Sequence, residues 1–253
     1  MFIDTHCHLD DPLFTDTDEV IKSCDDLKVK KLICSGCDKE SSAICRDLAA
    51  KYPSVYYSVA LHPEHAETFT EKTPDELKKL VGEKCVAIGE IGLDYHYEPF
   101  DKEKQAAAFI SLIDLANELK LPIVVHSRDA HADTLKIIKE HRPIYSGTMH
   151  CFSGSKEIAK EYLDIGFYLS FGGTLTFKNA LKSVEVLKYA PTDRILTETD
   201  SPYLSPEPKR GKRNTPENIP IICRKIAELK DMPTEEIEKI VFDNAIRLFP
   251  KLK

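Results

Sequence analysis

Tryptophan is absent from this chain, and methionine is scarce, with three residues among 253. Two further absences say more about the class of protein. No apolar run is long enough to span a bilayer, and the N-terminus lacks the basic region and long apolar stretch of a signal peptide. We therefore expect a soluble protein that has no membrane partner. The expected compartment is the cytoplasm, with the nucleus as the alternative.

The eight cysteines lack the dense spacing of a small disulfide-stabilised scaffold. Cys34 and Cys37 form a C-x-x-C pair, which is typical of redox and zinc sites, but no second pair accompanies it. We interpret both as packed, reduced thiols. The net charge of −7 excludes a polycation, so any binding of nucleic acid requires a local basic patch.

The composition, 42% hydrophobic and 30% charged, allows a large core. Apolar runs rich in β-branched residues alternate with amphipathic stretches. The predicted strands are residues 1–5, 31–34, 55–60, 86–89, 122–125, 147–149, 167–170 and 194–197. The predicted helices are residues 16–27, 41–51, 102–119, 130–140, 156–165, 180–189, 216–229 and 234–248. This order predicts an α/β fold, a TIM-type (β/α)8 barrel with residues 1–253 as a single domain. A doubly wound open sheet is the alternative.

Polar residues that are able to bind metals or move protons recur where the predicted strands end. In a (β/α)8 barrel these ends meet at one face, which carries the functional site. The barrel therefore predicts that seven side chains gather there: His6, His8, His62, Glu90, His126, His150 and Asp200.

Without His62, the other six residues form a mixed nitrogen and oxygen donor set. It exceeds the needs of one catalytic ion, which usually has three protein ligands and an open position. His6 and His8 share one face of the first strand, because side chains alternate along a strand. Two ions roughly 3.5–4 Å apart that share a carboxylate fit the number of donors better. Glu90 is the natural bridge, since the fourth strand lies between the other contributors.

Six motifs then carry a family resemblance: HCHLD, GEIGLDY, HSRDA, HCFSG, ETDSPYL and RGKRNTPEN. Together, and in this order, they resemble the TatD family of metal-dependent deoxyribonucleases. The resemblance implies that His6, His8 and Asp200 bind a first ion, that His126 and His150 bind a second, and that Glu90 bridges them. It also implies Mg²⁺-dependent hydrolysis of DNA with removal of nucleotides from 3′ ends.

Related barrel hydrolases of the phosphotriesterase and lactonase type often bridge their metals with a carboxylated lysine at the end of the fourth strand. Glu90 at the corresponding position favours the TatD branch. A hydrolase of a small ester, lactone or amide remains the first alternative function. The second is a barrel with structural metals that acts as an interaction protein.

The predicted reaction is attack of a metal-activated water on a phosphodiester of DNA, with Asp200 and Glu90 as the catalytic carboxylates. Four histidines suit Zn²⁺ or Mn²⁺ by softness, whereas the family resemblance favours Mg²⁺ as the working ion. The expected partner is DNA, as single strands or frayed 3′ ends. No obligate protein partner is evident from the sequence.

Residues predicted to contact the substrate follow the metal motifs along the chain. An arginine can fork onto a phosphate, and an aromatic ring can stack on an unpaired base. On this basis the candidates are His62, Arg128, Tyr95, Lys209, Arg210, Lys212 and Arg213. Three alternatives stay open: an ion pair between Arg128 and Asp129, a plain solvated basic loop, and aromatic residues that only cover the end of the barrel.

Overall fold

The computed structural model describes all residues from Met1 to Lys253. Eight strands are present, one for each predicted apolar run. They are β1 (Phe2–Cys7), β2 (Val29–Ser35), β3 (Val55–Val59), β4 (Cys85–Asp94), β5 (Ile123–Arg128), β6 (Gly147–Met149), β7 (Tyr168–Phe171) and β8 (Ile195–Thr197).

The strands pair in parallel in the order β1 to β8, each with its neighbours along the chain. The ends of this sheet meet. The amide of Asp200 donates to the carbonyl of His6 at 2.9 Å, and the amide of His8 donates to the carbonyl of Ser201 at 2.7 Å. The Thr5 hydroxyl also donates to the carbonyl of Thr197 at 3.0 Å. The predicted (β/α)8 barrel is thereby confirmed, and the open doubly wound sheet was wrong.

Helices follow the strands and cover the barrel. They are α1 (Thr17–Asp26), α2 (Lys39–Lys51), α3 (Thr73–Lys78), α4 (Lys102–Leu119), α5 (His131–His141), α6 (Lys156–Asp164), α7 (Leu181–Tyr189), α8 (Ile219–Lys230) and α9 (Thr234–Leu248). The pattern did not predict α3 or the 3-10 helix Pro63–Thr68, because both are too short to show a helical period. No helix combines the length and the apolar character that crossing a bilayer requires.

Strand β4 is much longer than predicted, because its glycine-containing second half also lies in the sheet. All ten of its residues are buried. Glu90 therefore stands inside β4 rather than beyond it, and His126 likewise lies within β5. Both side chains are fixed by strand backbone on each side, which holds them more rigidly than a loop would.

Apolar packing fills the N-terminal end of the barrel and leaves the polar groups to the other end. One buried cluster joins Ile3, Ile33 and Val124 of the strands to Leu248 and Phe249 at the end of α9. A larger cluster lies between the strands and the surrounding helices. The C-terminal ends of the strands are consequently the part of the barrel where buried charged groups concentrate.

Gly92 permits close approach of β4 and β5 near the C-terminal ends of the two strands, where the polar residues lie. It pairs with His126, and its φ is +146°. A Cβ at this position would lie 2.0 Å from the carbonyl oxygen of His126, which belongs to the backbone and cannot turn aside.

We predict that Gly92→Ala lowers the free energy of unfolding by about 2–4 kcal/mol, because backbone strain and a clash combine. Urea unfolding measures the change. Gly211→Ala is the control, since Gly211 also has a positive φ but has no atom within 4 Å of the added carbon. It should cost about 1–2 kcal/mol from the backbone alone. Equal costs for the two variants would contradict the clash.

Candidate metal centre

The first group of donors comprises His6 of β1, His8 directly after that strand, and Asp200 beyond β8. The Nε2 atoms of His6 and His8 lie 3.2 Å apart. Asp200 places Oδ1 3.4 Å from Nε2 of His8 and 3.8 Å from Nε2 of His6. The backbone bonds that close the barrel hold these three residues in register. Their ligand atoms therefore converge on one point without help from a flexible loop.

Glu90 lies between this first group and a second one. Its Oε2 faces His6 Nε2 at 3.2 Å. Its Oε1 faces three other imidazoles: His126 Nδ1 at 2.6 Å, His150 Nε2 at 3.4 Å and His62 Nε2 at 3.6 Å. One buried carboxylate thus contacts histidines from β1, β5 and the loops that follow β3 and β6.

Hydrogen-bond partners behind the histidines fix which ring nitrogen faces the centre. Ser35, the last residue of β2, reaches Nδ1 of His6 with its hydroxyl at 3.1 Å and accepts from Nδ1 of His8 with its carbonyl at 3.0 Å. Asp94 accepts from Nε2 of His126 at 2.8 Å. His126 therefore presents Nδ1 to the centre, whereas His6 and His8 present Nε2. Sequence reasoning left Ser35 out; its only signal was its place at a strand end.

Glu198 stands behind His150. Its Oε1 lies 3.0 Å from Nδ1 of His150, an electrostatic contact whose angle is not that of a hydrogen bond. The same oxygen accepts the amide of Cys151 at 2.6 Å. Glu198 is 1% exposed, so its charge acts on the imidazole with little screening by solvent.

Burial and neighbouring charges have opposite effects on the pKa values of the groups in this cluster. Burial would raise the pKa of Glu90, but the fields of His150, His6 and His62 hold it well below its usual range. Burial would lower the pKa of His126, but Asp94 and Glu90 raise it to about 9. In the absence of an ion, protons on imidazoles therefore balance the buried carboxylates, and a cation that binds must displace protons.

The donors fit divalent ions in chemistry and in spacing. Ligands about 2.1 Å from one ion lie roughly 3–3.4 Å from one another. Three separations among His6, His8, Glu90 and Asp200, of 3.2, 3.2 and 3.4 Å, match that range, and the separation of His6 from Asp200, 3.8 Å, is wider. Four overlapping groups have the composition of a metal site: His6 with His8 and Asp200, His6 with Glu90 and His150, His62 with Glu90 and His126, and His8 with Cys37 and Glu90.

Comparison with known proteins agrees with this geometry. The family described as TatD related DNase matches residues 3–250. The chain belongs to the TatD family. This confirms the resemblance that the six sequence motifs indicated, and it places the chain among metal-dependent hydrolases.

Individual members of the TatD family match this chain over nearly their full length. The uncharacterized metal-dependent hydrolase YabD of Bacillus subtilis is 44% identical, with 98% of this chain and 99% of YabD covered. The uncharacterized hydrolase YcfH of Escherichia coli K12 is 39% identical over 98% and 95%. The crystal structure of YjjV, a TatD homolog of E. coli K12, superposes with a TM-score of 0.93 at 31% identity, covering 98% of each chain.

An open cavity of about 1120 Å³ lies above the donors of this TatD-family chain. His62 and Arg128, both predicted to contact substrate, line it. Arg128 places its guanidinium 4.7 Å from the ring centre of Tyr97, which also lines the cavity and is 58% exposed. Of the aromatic residues that follow Glu90, Tyr97 rather than Tyr95 thus faces the centre.

Tyr95 lies outside the cavity. Its hydroxyl donates to Asp133 at 3.1 Å, and its ring stacks on Phe100 at 5.1 Å. The two tyrosines therefore have different environments. Tyr95 packs against Phe100 and Asp133, whereas Tyr97 lies at the rim of the cavity. Sequence spacing alone did not separate them.

The basic loop after β8 does not supply the cavity with positive charge. Arg213 forms a two-pronged ion pair with Asp16, both contacts being 2.7 Å. Arg210 lies over the ring of Phe177, and Lys209 donates to Asn218 at 2.7 Å. Neither these three side chains nor the exposed Lys212 line the cavity. Arg128 is consequently its single arginine or lysine.

Asp94 orients His126 without reaching the cavity lining, so its removal tests the metal centre directly. We predict that Asp94→Asn weakens binding of a divalent ion about 10–100-fold, because the imidazole loses the carboxylate that fixes its tautomer. Calorimetric titration of metal-stripped protein with Zn²⁺ measures the affinity. Asp243→Asn, an exposed position on α9, is the control. Equal affinity in both variants would show that Asp94 does not support the centre.

Proposed function

We propose that this chain is a divalent-metal-dependent nuclease that hydrolyses phosphodiester bonds of DNA from 3′ ends. One observation carries the proposal. A buried carboxylate, Glu90, is shared by two groups of histidines at the floor of an open cavity, with Asp200 beside it. The name of the family, TatD related DNase, supports the choice of substrate.

In this proposal each donor has a role. His6, His8 and Asp200 hold a first ion, His126 and His150 hold a second, and Glu90 bridges the two. When bound, such ions polarise phosphate oxygens and lower the pKa of water toward neutrality. Mg²⁺ is the proposed working ion on family grounds, while the imidazole donors also suit Zn²⁺ and Mn²⁺.

Asp200 is the proposed acceptor of the proton from the attacking water. Burial would raise its pKa, but His150 and the hydrogen bond to His8 keep it below the usual value, so the group is a carboxylate at neutral pH. Its contacts with His6 and His8 use Oδ1. The side chain is 14% exposed at the cavity, so water reaches it.

His62 and Arg128 are the proposed contacts to the phosphate. Nδ1 of His62 accepts the amide of Glu64 at 3.2 Å, so in the neutral ring Nε2 carries the proton and points into the site. Burial lowers the pKa of His62, which favours that neutral donor. Arg128 supplies positive charge, and the exposed ring of Tyr97 offers a surface for an unpaired base. An unpaired base is available in single strands and at frayed ends.

A hydrolase of a small ester or lactone is the second candidate, and one observation favours it. The basic loop that would hold a polyanion lies outside the cavity, which contains a single arginine and no lysine. The same metal centre would serve either chemistry, so activity on substrates decides between the two functions.

We predict that metal-stripped protein regains release of mononucleotides from a 3′-labelled single-stranded oligonucleotide when Mg²⁺, Mn²⁺ or Zn²⁺ is added. Asp200→Asn should lower the rate about 10²–10⁴-fold, the range for loss of a general base. His126→Ala should lower it through loss of an ion. Asp243→Asn is the matched control with normal rate.

The add-back experiment also names the working ion. Absence of cleavage with every ion, in protein shown to bind metal, would contradict the nuclease proposal. A panel of lactones and esters would then test the second candidate with the same variants.

A further inference from the structure

Two cysteines and an aspartate form a second cluster of possible metal ligands, here called the thiol site. Cys34 of β2 and Cys45 of α2 place their Sγ atoms 3.1 Å apart, and both side chains are fully buried. Asp10, in the loop after β1, places Oδ1 3.5 Å from Sγ of Cys34. The three ligand atoms lie within 4.8 Å of one another. No other such cluster in the structure is made entirely of residues outside the metal centre around Glu90.

The C-x-x-C motif does not form the thiol site. Cys37 lies on the cavity lining, with Sγ 3.8 Å from Nδ1 of His8. Cys34 instead contacts Cys45, in the helix that packs on the outside of the barrel. Sequence spacing gave no sign of this pair, because the packing of α2 on β2 brings the two residues together.

Asp10 lacks the partners that a partly buried carboxylate ordinarily has. No lysine, arginine or histidine forms an ion pair with it. The only side chains that donate hydrogen bonds to it are the thiols of Cys34 and Cys45. A thiol is a weak donor, so these contacts compensate the carboxylate poorly. A cation between the three groups would compensate it far better.

Tight packing of α2 against β2 holds the two cysteines in place. The amide of Ser41 donates to Asp38 at 2.7 Å and fixes the start of the helix. One residue further on, the hydroxyl of Ser42 accepts the amide of Ala60 at 3.3 Å. A Cβ on Gly36 would lie 2.4 Å from that hydroxyl, so helix and strand end are in close contact. The donors are therefore ordered before any ion binds, which lowers the entropic cost of binding.

The spacing of the donors is close to that of a tetrahedral site. Bonds of about 2.3 Å to sulfur and 2.1 Å to oxygen would place sulfur and oxygen roughly 3.6 Å apart and two sulfurs roughly 3.8 Å apart. The separation of 3.5 Å between Cys34 and Asp10 already fits. The two sulfurs must move apart by about 0.7 Å from their 3.1 Å contact, a change that small side-chain rotations supply. Asp10 lines the cavity, so an ion and a water as fourth ligand enter from that side.

We propose that Asp10, Cys34 and Cys45 bind Zn²⁺ or another thiophilic divalent ion, separately from the metal centre. Two sulfur ligands favour such ions over Mg²⁺, which prefers oxygen. Binding replaces the two thiol protons, which leave to solvent. The bound ion joins the loop after β1 to α2 beside the cavity. The inference depends neither on the proposed nuclease function nor on which ions occupy the metal centre.

Titration of reduced, metal-stripped protein with Cd²⁺ tests the thiol site without any assay of activity. Cd²⁺ replaces Zn²⁺ as the probe, because its bonds to thiolates give a charge-transfer absorption in the ultraviolet. Ions held only by the imidazoles and carboxylates of the metal centre give no such band. The unsubstituted protein should develop a band for two thiolates that saturates with one ion in the thiol site.

Variants separate the thiol site from the neighbouring thiol of Cys37. Cys34→Ala and Cys45→Ala should each weaken the Cd²⁺ binding that produces the band more than about 100-fold, because the loss of a ligand exceeds the effect of losing a group behind one. Cys37→Ala is the matched control, and it should keep the band and the affinity. Circular dichroism checks that each variant is folded.

Asp10→Asn tests the same site with both thiols retained. The change leaves the size of a partly exposed side chain almost unaltered, so the variant should fold normally. It should weaken Cd²⁺ binding about tenfold, because the site loses one negative charge, and it should leave the thiolate band in place. Glu40→Gln removes an equal charge at an exposed position of the cavity lining and should bind Cd²⁺ normally.

Three results would each overturn the inference. They are the absence of a thiolate band in the folded unsubstituted protein, a band that survives in Cys34→Ala but is lost in Cys37→Ala, and equal affinity for Cd²⁺ in Asp10→Asn and Glu40→Gln.

Discussion

The structure depends on one buried carboxylate that several histidines share. Glu90 is 3% exposed and contacts imidazoles that come from four different parts of the chain. Isolated in an apolar interior, such a carboxylate would cost several kcal/mol of desolvation. Here protons or bound cations compensate it. This arrangement favours the binding of divalent ions. It also means that burial of Glu90 depends on contacts with histidines that are far apart in the sequence.

The barrel fixes the relative positions of these side chains, because each donor lies in a strand or in the residues shortly after one. Glu90 and His126 lie within paired strands, and the backbone bonds between β1 and the segment after β8 align His6 with Asp200. Ser35 and Asp94 then orient the rings from behind. Apolar packing closes the opposite end of the barrel, so the centre is open to solvent at one face.

The fold and the convergence of the candidate donors were predictable because both follow from local pattern and from barrel topology. Strand ends converge in a parallel barrel, so His6, His126 and Asp200 had to meet once eight strands were recognised. Strand β4 was predicted too short because GEIGLD, with two glycines and two acids, does not have the composition of a strand. Its burial and its pairing with β5 decide its state.

The residues that line the cavity were less predictable because long side chains are placed by partners elsewhere in the chain. Arg213 binds Asp16, nearly two hundred residues away in sequence, and Tyr95 packs on Phe100 while Tyr97 is left at the rim.

Electron paramagnetic resonance of the Mn²⁺-loaded protein tests the shared carboxylate most directly. Two Mn²⁺ ions bridged by Glu90 should give the signal of a spin-coupled pair at two ions per chain. Glu90→Gln should replace it with the signal of isolated Mn²⁺ or reduce the stoichiometry, while Glu236→Gln should leave it unchanged. A single ion per chain, or two uncoupled ions in the unsubstituted protein, would contradict the bridging role of Glu90.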